Sequence, residues 1–129
     1  MIVVDASVIL HILGDSAVDA TVLEKISSNG ELIAPHLLDL EFLSAIRRQV
    51  RLKEITEKRA QQALIDFAEL TIKRKAVHHL AAAIWKLRDN ITPYDAAYVV
   101  LAADLHLPLL TRDKKLAQAA AAFTKIELI

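Results

Sequence analysis

The chain has no cysteine, so it holds no disulfide and no thiolate zinc site. With two glycines among 129 residues it lacks the phosphate-cradling loop, the Gly-rich dinucleotide turn and the Gly-x-Ser-x-Gly elbow of serine hydrolases. Charge of one sign is missing as well: sixteen Lys plus Arg meet sixteen Asp plus Glu, and bulk charge points to no polyanion. The longest strongly apolar run, Ala96 to Ala103, lies between Asp95 and Asp104 and falls far short of the roughly 18 residues of a spanning helix. The amino terminus enters an apolar strand directly, without the basic region and cleavage pattern of a secretory signal, so the expected location is the cytoplasm.

What is present is apolar material, 54% of the residues, enough for one core over 1–129 as a single domain. Short apolar runs alternate with helical patterns, the signature of a parallel sheet covered by helices. Strands are expected at Ile2 to Val4, Glu31 to Ala34, Leu70 to Arg74, Leu107 to Leu110 and Ile126 to Ile129, about five in all. Between them the pattern predicts helices over Ala6 to Leu13, from a cap at Asp15 or Ser16 to Asn29, and over His36 to Arg51. Further helices are expected from Thr56 to Ala68, Val77 to Arg88, Thr92 to His106 and Asp113 to Ala122. Thr56 and Thr92 are the expected caps, and Pro93 takes the favoured first-turn place.

Four acids stand out. Asp5 and Asp113 follow strands, and ligands of open parallel sheets bind beyond the strands' carboxyl ends. Each acid near a helix start also has a structural reading: Asp5 and Asp113 as N-caps, Asp95 as the fourth residue of a capping box opened by Thr92. Glu41 resists that treatment, because it sits among Leu37, Leu38, Leu40, Phe42 and Ile46, where a carboxylate needs a partner. Arg48 on the same helical face is one candidate and a cation shared with the other acids is another. Scattered carboxylates converging on one sheet edge suit a hard divalent cation, which takes oxygen ligands.

The five histidines show no i, i+4 clamp, so zinc is not indicated. Trp85 and Phe67 read as core or interface residues. Basic residues cluster locally at Arg47, Arg48, Arg51 and Lys53, at Lys73 to Lys75, and at Arg112, Lys114 and Lys115.

Four segments together resemble the PIN-domain ribonucleases, and most closely the VapC-type toxins of toxin-antitoxin pairs. They are Val4-Asp5-Ala6-Ser7, Leu40-Glu41, Thr92-Pro93-Tyr94-Asp95-Ala96-Ala97-Tyr98, and Leu110-Thr111-Arg112-Asp113-Lys114-Lys115-Leu116. The resemblance implies a three-layer α/β PIN-like fold with a five-stranded parallel sheet and an endoribonuclease using Mg²⁺ or Mn²⁺. Its acidic quartet would be Asp5, Glu41, Asp95 and Asp113, supported by Ser7, Thr111 and Arg112. It also implies an RNA substrate, a cognate antitoxin and a homodimer, for which a mean hydropathy of +0.34 offers apolar surface to cover. Two other readings compete. A phosphoacceptor receiver domain would want two adjacent acids after the first strand, and a non-catalytic PIN-like module would have lost acids that are all in place here.

Overall fold

The computed structural model describes residues 1–14 and 20–129. The expected cap at Asp15 or Ser16 lies outside the described residues. The elements are β1 (Ile2–Val4), α1 (Ala6–Gly14), α2 (Ala20–Asn29), β2 (Leu32–Pro35), α3 (Leu37–Arg51), α4 (Glu57–Glu69) and β3 (Ile72–Lys75). A 3-10 turn (His78–Leu80) leads into α5 (Ala81–Lys86), followed by α6 (Pro93–Leu105), β4 (Leu109–Thr111), α7 (Lys114–Ala120) and β5 (Ile126–Leu128).

All strand pairs are parallel and the order is β3-β2-β1-β4-β5. With helices covering both faces this is the expected three-layer α/β arrangement. β1 is central and wholly buried, which its unbroken Ile2-Val3-Val4 run requires. The chain moves outward from β1 through β2 to β3, then returns across the sheet to β4 on the other side. Direction therefore reverses between β1 and β4, and a crevice opens beyond their carboxyl ends.

α6 closes that crevice from within. Its buried stretch runs from Ala96 to Ala102 without interruption, and it packs on β1, β2 and β4. A helix apolar all round belongs in the interior. Thr92 caps it, its Oγ1 accepting from the Asp95 amide at 3.2 Å, and His106 ends it in the left-handed region at φ 55°.

α3 is oriented by Phe42, fully buried and stacked on Phe67 of α4 with ring centroids 4.2 Å apart. Truncating such a ring in a core costs about 3–5 kcal/mol, so α3 is held firmly in rotation. Leu38, Phe42 and Ile46 form its buried stripe. Glu41, one residue round from Phe42, therefore lands half-buried at the stripe's edge, while Leu40 points to solvent. α4 starts as expected, with the Arg59 amide donating to Thr56 Oγ1 at 3.1 Å.

The expected and observed bounds differ by a residue or two at several ends, and most at β4, β3 and α5. β4 begins at Leu109 rather than Leu107, because the Leu107 amide is taken by Ala102 at the end of α6 and Pro108 supplies only its carbonyl, to Val3. β3 is displaced to Ile72–Lys75, in register with Leu32 to Pro35. The single helix expected from Val77 to Arg88 is a 3-10 turn followed by six helical residues. None of those six is buried, so little packing holds them in a long helix.

Candidate active site

Asp5 stands at the end of β1, where its amide donates to the Leu110 carbonyl at 3.3 Å and fastens it to β4. Its carboxylate is buried and surrounded by donors. Oδ1 accepts from the Ser7 hydroxyl at 2.5 Å and from the Val8 amide at 3.3 Å, and Oδ2 accepts from the Thr111 hydroxyl. The cap reading of Asp5 holds, and it leaves the carboxylate facing the hydroxyls of Ser7 and Thr111. Burial pushes its pKa up, while the Ser7 and Thr111 hydroxyls and the helix amides pull it back.

The two hydroxyls also tie β1 to the far side of the crevice. Ser7 Oγ accepts from the Arg112 amide at 3.0 Å, and Thr111 Oγ1 accepts from the Asp113 amide at 3.0 Å. Asp113 caps α7 through Oδ1, which accepts from the Lys115 and Leu116 amides at 2.9 and 3.1 Å. The Arg112 side chain is exposed, and only its backbone takes part.

Glu41 enters from α3. Its partner is neither Arg48 nor any other cation among the described residues: the Tyr98 hydroxyl donates to Glu41 Oε1 at 2.5 Å. Tyr98 lies in the segment that carries the family resemblance, but its sequence position alone gives it no role. The available signal was a tyrosine inside an aliphatic helix, where a buried hydroxyl needs a partner, three residues after Asp95 and so on the same helical face.

The acids are electrostatically joined. Burial raises the Glu41 pKa and the neighbouring Asp95 and Asp5 charges raise it further. Burial likewise raises Asp95, with Asp113 adding to it. Tyr98 is pushed above its ordinary range by burial and by Glu41, so it stays a neutral donor. Among the described residues no cation pairs with any of the four. The ion pairs lie elsewhere: Arg74 with Asp39 at 2.8 Å, and Glu127 with Lys25 and Lys125. As the side chains stand, no three acidic or histidine groups among the described residues converge closely enough to hold an ion. The acids are thus linked in a chain of charge, Asp5 to Glu41, Glu41 to Asp95 and Asp95 to Asp113, with no ion pair to any of them among the described residues.

The remaining candidates fall elsewhere. Phe67 is a core residue, whereas Trp85 is exposed, with the Arg88 guanidinium 4.7 Å from its ring centre. Arg74 is committed to Asp39.

The PIN domain matches residues 2–122, and the chain belongs to the PIN-domain family. Within it, the chain sits among the VapC ribonucleases. It is 40% identical over 129 residues to Ribonuclease VapC1 of Mycobacterium tuberculosis, covering 98% of this chain and 96% of that one. Ribonuclease VapC9 of the same organism is 34% identical over 100% of this chain and 98% of its own. Among solved structures, FitAcB from Neisseria gonorrhoeae shares the fold with a TM-score of 0.66 at 18% identity, over 98% of this chain and 96% of that one.

Proposed function

We propose that the chain is a divalent-metal-dependent endoribonuclease and the toxin of a toxin-antitoxin pair. The observation that carries the reading is the run of Asp5, Glu41, Asp95 and Asp113 about the β1/β4 crevice, each coupled by charge to the next and unmatched by any described cation. The donor set suits the group: carboxylate oxygens are the ligands Mg²⁺ and Mn²⁺ take, and a bound cation would offset the charge that couples the acids. The relatives named as ribonucleases support RNA as the substrate.

In this proposal the quartet holds the ion, which when bound supplies Lewis acidity to a water and to the scissile phosphate. The chain's own groups prepare that site. Ser7 and Thr111 fix both oxygens of Asp5 and favour its ionised form against burial. Tyr98 orients one oxygen of Glu41 and leaves the other for a ligand. Asp113 keeps one oxygen on the α7 amides, which sets the direction of the second. Hydrolysis by this route leaves a 5′-phosphate and a 3′-hydroxyl.

Partners belong to the same proposal. A cognate antitoxin holds the toxin inactive in the cytoplasm, and a homodimer covers exposed apolar side chains such as Ile65, Trp85 and Phe123. No described helix is long and apolar enough to cross a membrane. The test is induced expression: the wild type arrests growth and degrades RNA, and Asp95→Asn at equal abundance does neither. Equal toxicity of the two would remove catalysis from the account. Gel filtration of the purified protein checks the dimer, since the chain alone is 14.3 kDa.

A further inference from the structure

A phosphodiester chain that is to reach four carboxylates must be held by positive charge nearby, and the chain's net charge of zero supplies none in bulk. α3 supplies it locally. From Glu41 the positions Ser44, Arg47, Arg48 and Arg51 recur at spacings of three and four, so they form one stripe along the helix surface. At 1.5 Å per residue the stripe extends about 15 Å from the acid, the length of a few nucleotides. The three arginines are exposed and make no ion pair or side-chain hydrogen bond among the described residues.

The surface is continuous. A shallow groove of about 520 Å³ lined by Ser44, the three arginines and Leu52 meets, at Ser44, a second of about 400 Å³ lined also by Leu37, Leu40, Glu41 and Tyr94. Tyr94, beside Asp95, is 65% exposed and offers a flat ring at the acidic end. A basic groove with an aromatic platform is what single-stranded nucleic acid binds without reading its sequence: phosphates on the cations, a base on the ring. The bland reading is that Arg48 and Arg51 only complement the carboxyl end of the α3 dipole. It accounts for neither Arg47 nor the joined grooves.

We propose that the α3 face from Glu41 to Arg51 is the track along which single-stranded RNA leaves the cleavage site, its phosphates on Arg47, Arg48 and Arg51 and a base on Tyr94. This rests on the ribonuclease reading and adds where the substrate lies. The test is fluorescence anisotropy with a labelled single-stranded RNA of about 12 nucleotides, in chelator so that binding is read without turnover. The R47Q/R48Q/R51Q protein binds on the order of tenfold more weakly or worse, and its slope of log affinity against log salt is shallower by about 2, from roughly 0.7 per phosphate contact. R47K/R48K/R51K stays near wild type, as does Lys58→Gln, an exposed cation on α4. Arg51→Gln alone, which disturbs only the end of the helix, shows about a third of the slope change. Wild-type affinity and slope in a folded triple glutamine variant overturn the track. So does an equal loss in Lys58→Gln, or intact RNA binding with lost binding of the antitoxin, which would make the arginines a site for an acidic protein segment. If no protein cleaves RNA in Mn²⁺ while the binding loss persists, the nuclease reading fails and the track stands.

Discussion

The Tyr98 hydroxyl on α6 donates to Glu41 Oε1 on α3 at 2.5 Å, joining two residues 57 positions apart. Through it the interior helix holds the acid that α3 brings to the crevice. Removing the hydroxyl with Tyr98→Phe keeps the ring and its packing. Stability should fall by about 1 kcal/mol, the worth of one hydrogen bond. Cleavage should fall about 10- to 100-fold, with most of the loss recovered at higher Mn²⁺, as for a group that orients a metal ligand. A loss of stability with an unshifted Mn²⁺ dependence would make Tyr98 a packing residue only.

Asp95 is a good place to measure repulsion, because burial and the Asp113 charge outweigh the support its carboxylate takes from Thr92, and its amide contact to Thr92 survives substitution. In chelator, Asp95→Asn should be more stable than wild type by on the order of 0.5 kcal/mol, a modest figure because the group is half open to screening solvent. For a chain of this size that is about 2 °C in melting temperature. Mn²⁺ should raise wild type more than the variant. A variant that melts lower in chelator and keeps the full Mn²⁺ response would take Asp95 out of the site.

The raised pKa values of Asp5, Glu41 and Asp95 fix the sign of a pH effect. Above the ordinary values of 3.8 and 4.5, and up to the raised ones, the folded protein keeps protons that the unfolded chain has released. These groups therefore favour the fold increasingly as pH drops through that window, and the contribution disappears as pH rises above it. Urea titrations across the weakly acidic range, in chelator, should show the stability gap between wild type and Asp95→Asn narrowing toward low pH. A gap that widens toward low pH would mean that the carboxylate is stabilised by its surroundings instead.

Much of this site could be read along the chain. Asp5 and Asp113 are visible because residues between a strand's carboxyl end and the next helix lie at the crevice, and both are helix caps, as their local sequence also suggests. Glu41 is visible as a carboxylate on a helix otherwise rich in leucine. Its partner was not, because Arg48 competes on local spacing while Tyr98 is chosen by how α6 crosses the sheet. Thr111 looked like a supporting hydroxyl; that it serves Asp5 and the Asp113 amide together depends on β1 pairing with β4. The α5 region misled for a simpler reason: alanines favour a helix anywhere, and only packing decides its length.

Thr111 is fully buried between two acids' contacts, so Thr111→Val removes one donor from Asp5 and the acceptor of the Asp113 amide while keeping the shape. Stability should drop by about 1–3 kcal/mol and cleavage should fall with it. Thr111→Ser, which keeps the hydroxyl, should recover most of both. Full cleavage in the valine variant would show that Asp5 needs no support from β4.

If these four acids hydrolyse RNA through a bound divalent ion, the chemistry of the product ends records it. Purified protein is incubated with a defined RNA in Mn²⁺ and in excess chelator, and the fragments are analysed by mass spectrometry. The account predicts 5′-phosphate and 3′-hydroxyl ends in Mn²⁺ and intact RNA in chelator. Fragments ending in 2′,3′-cyclic phosphate, or cleavage that persists in chelator, would contradict it.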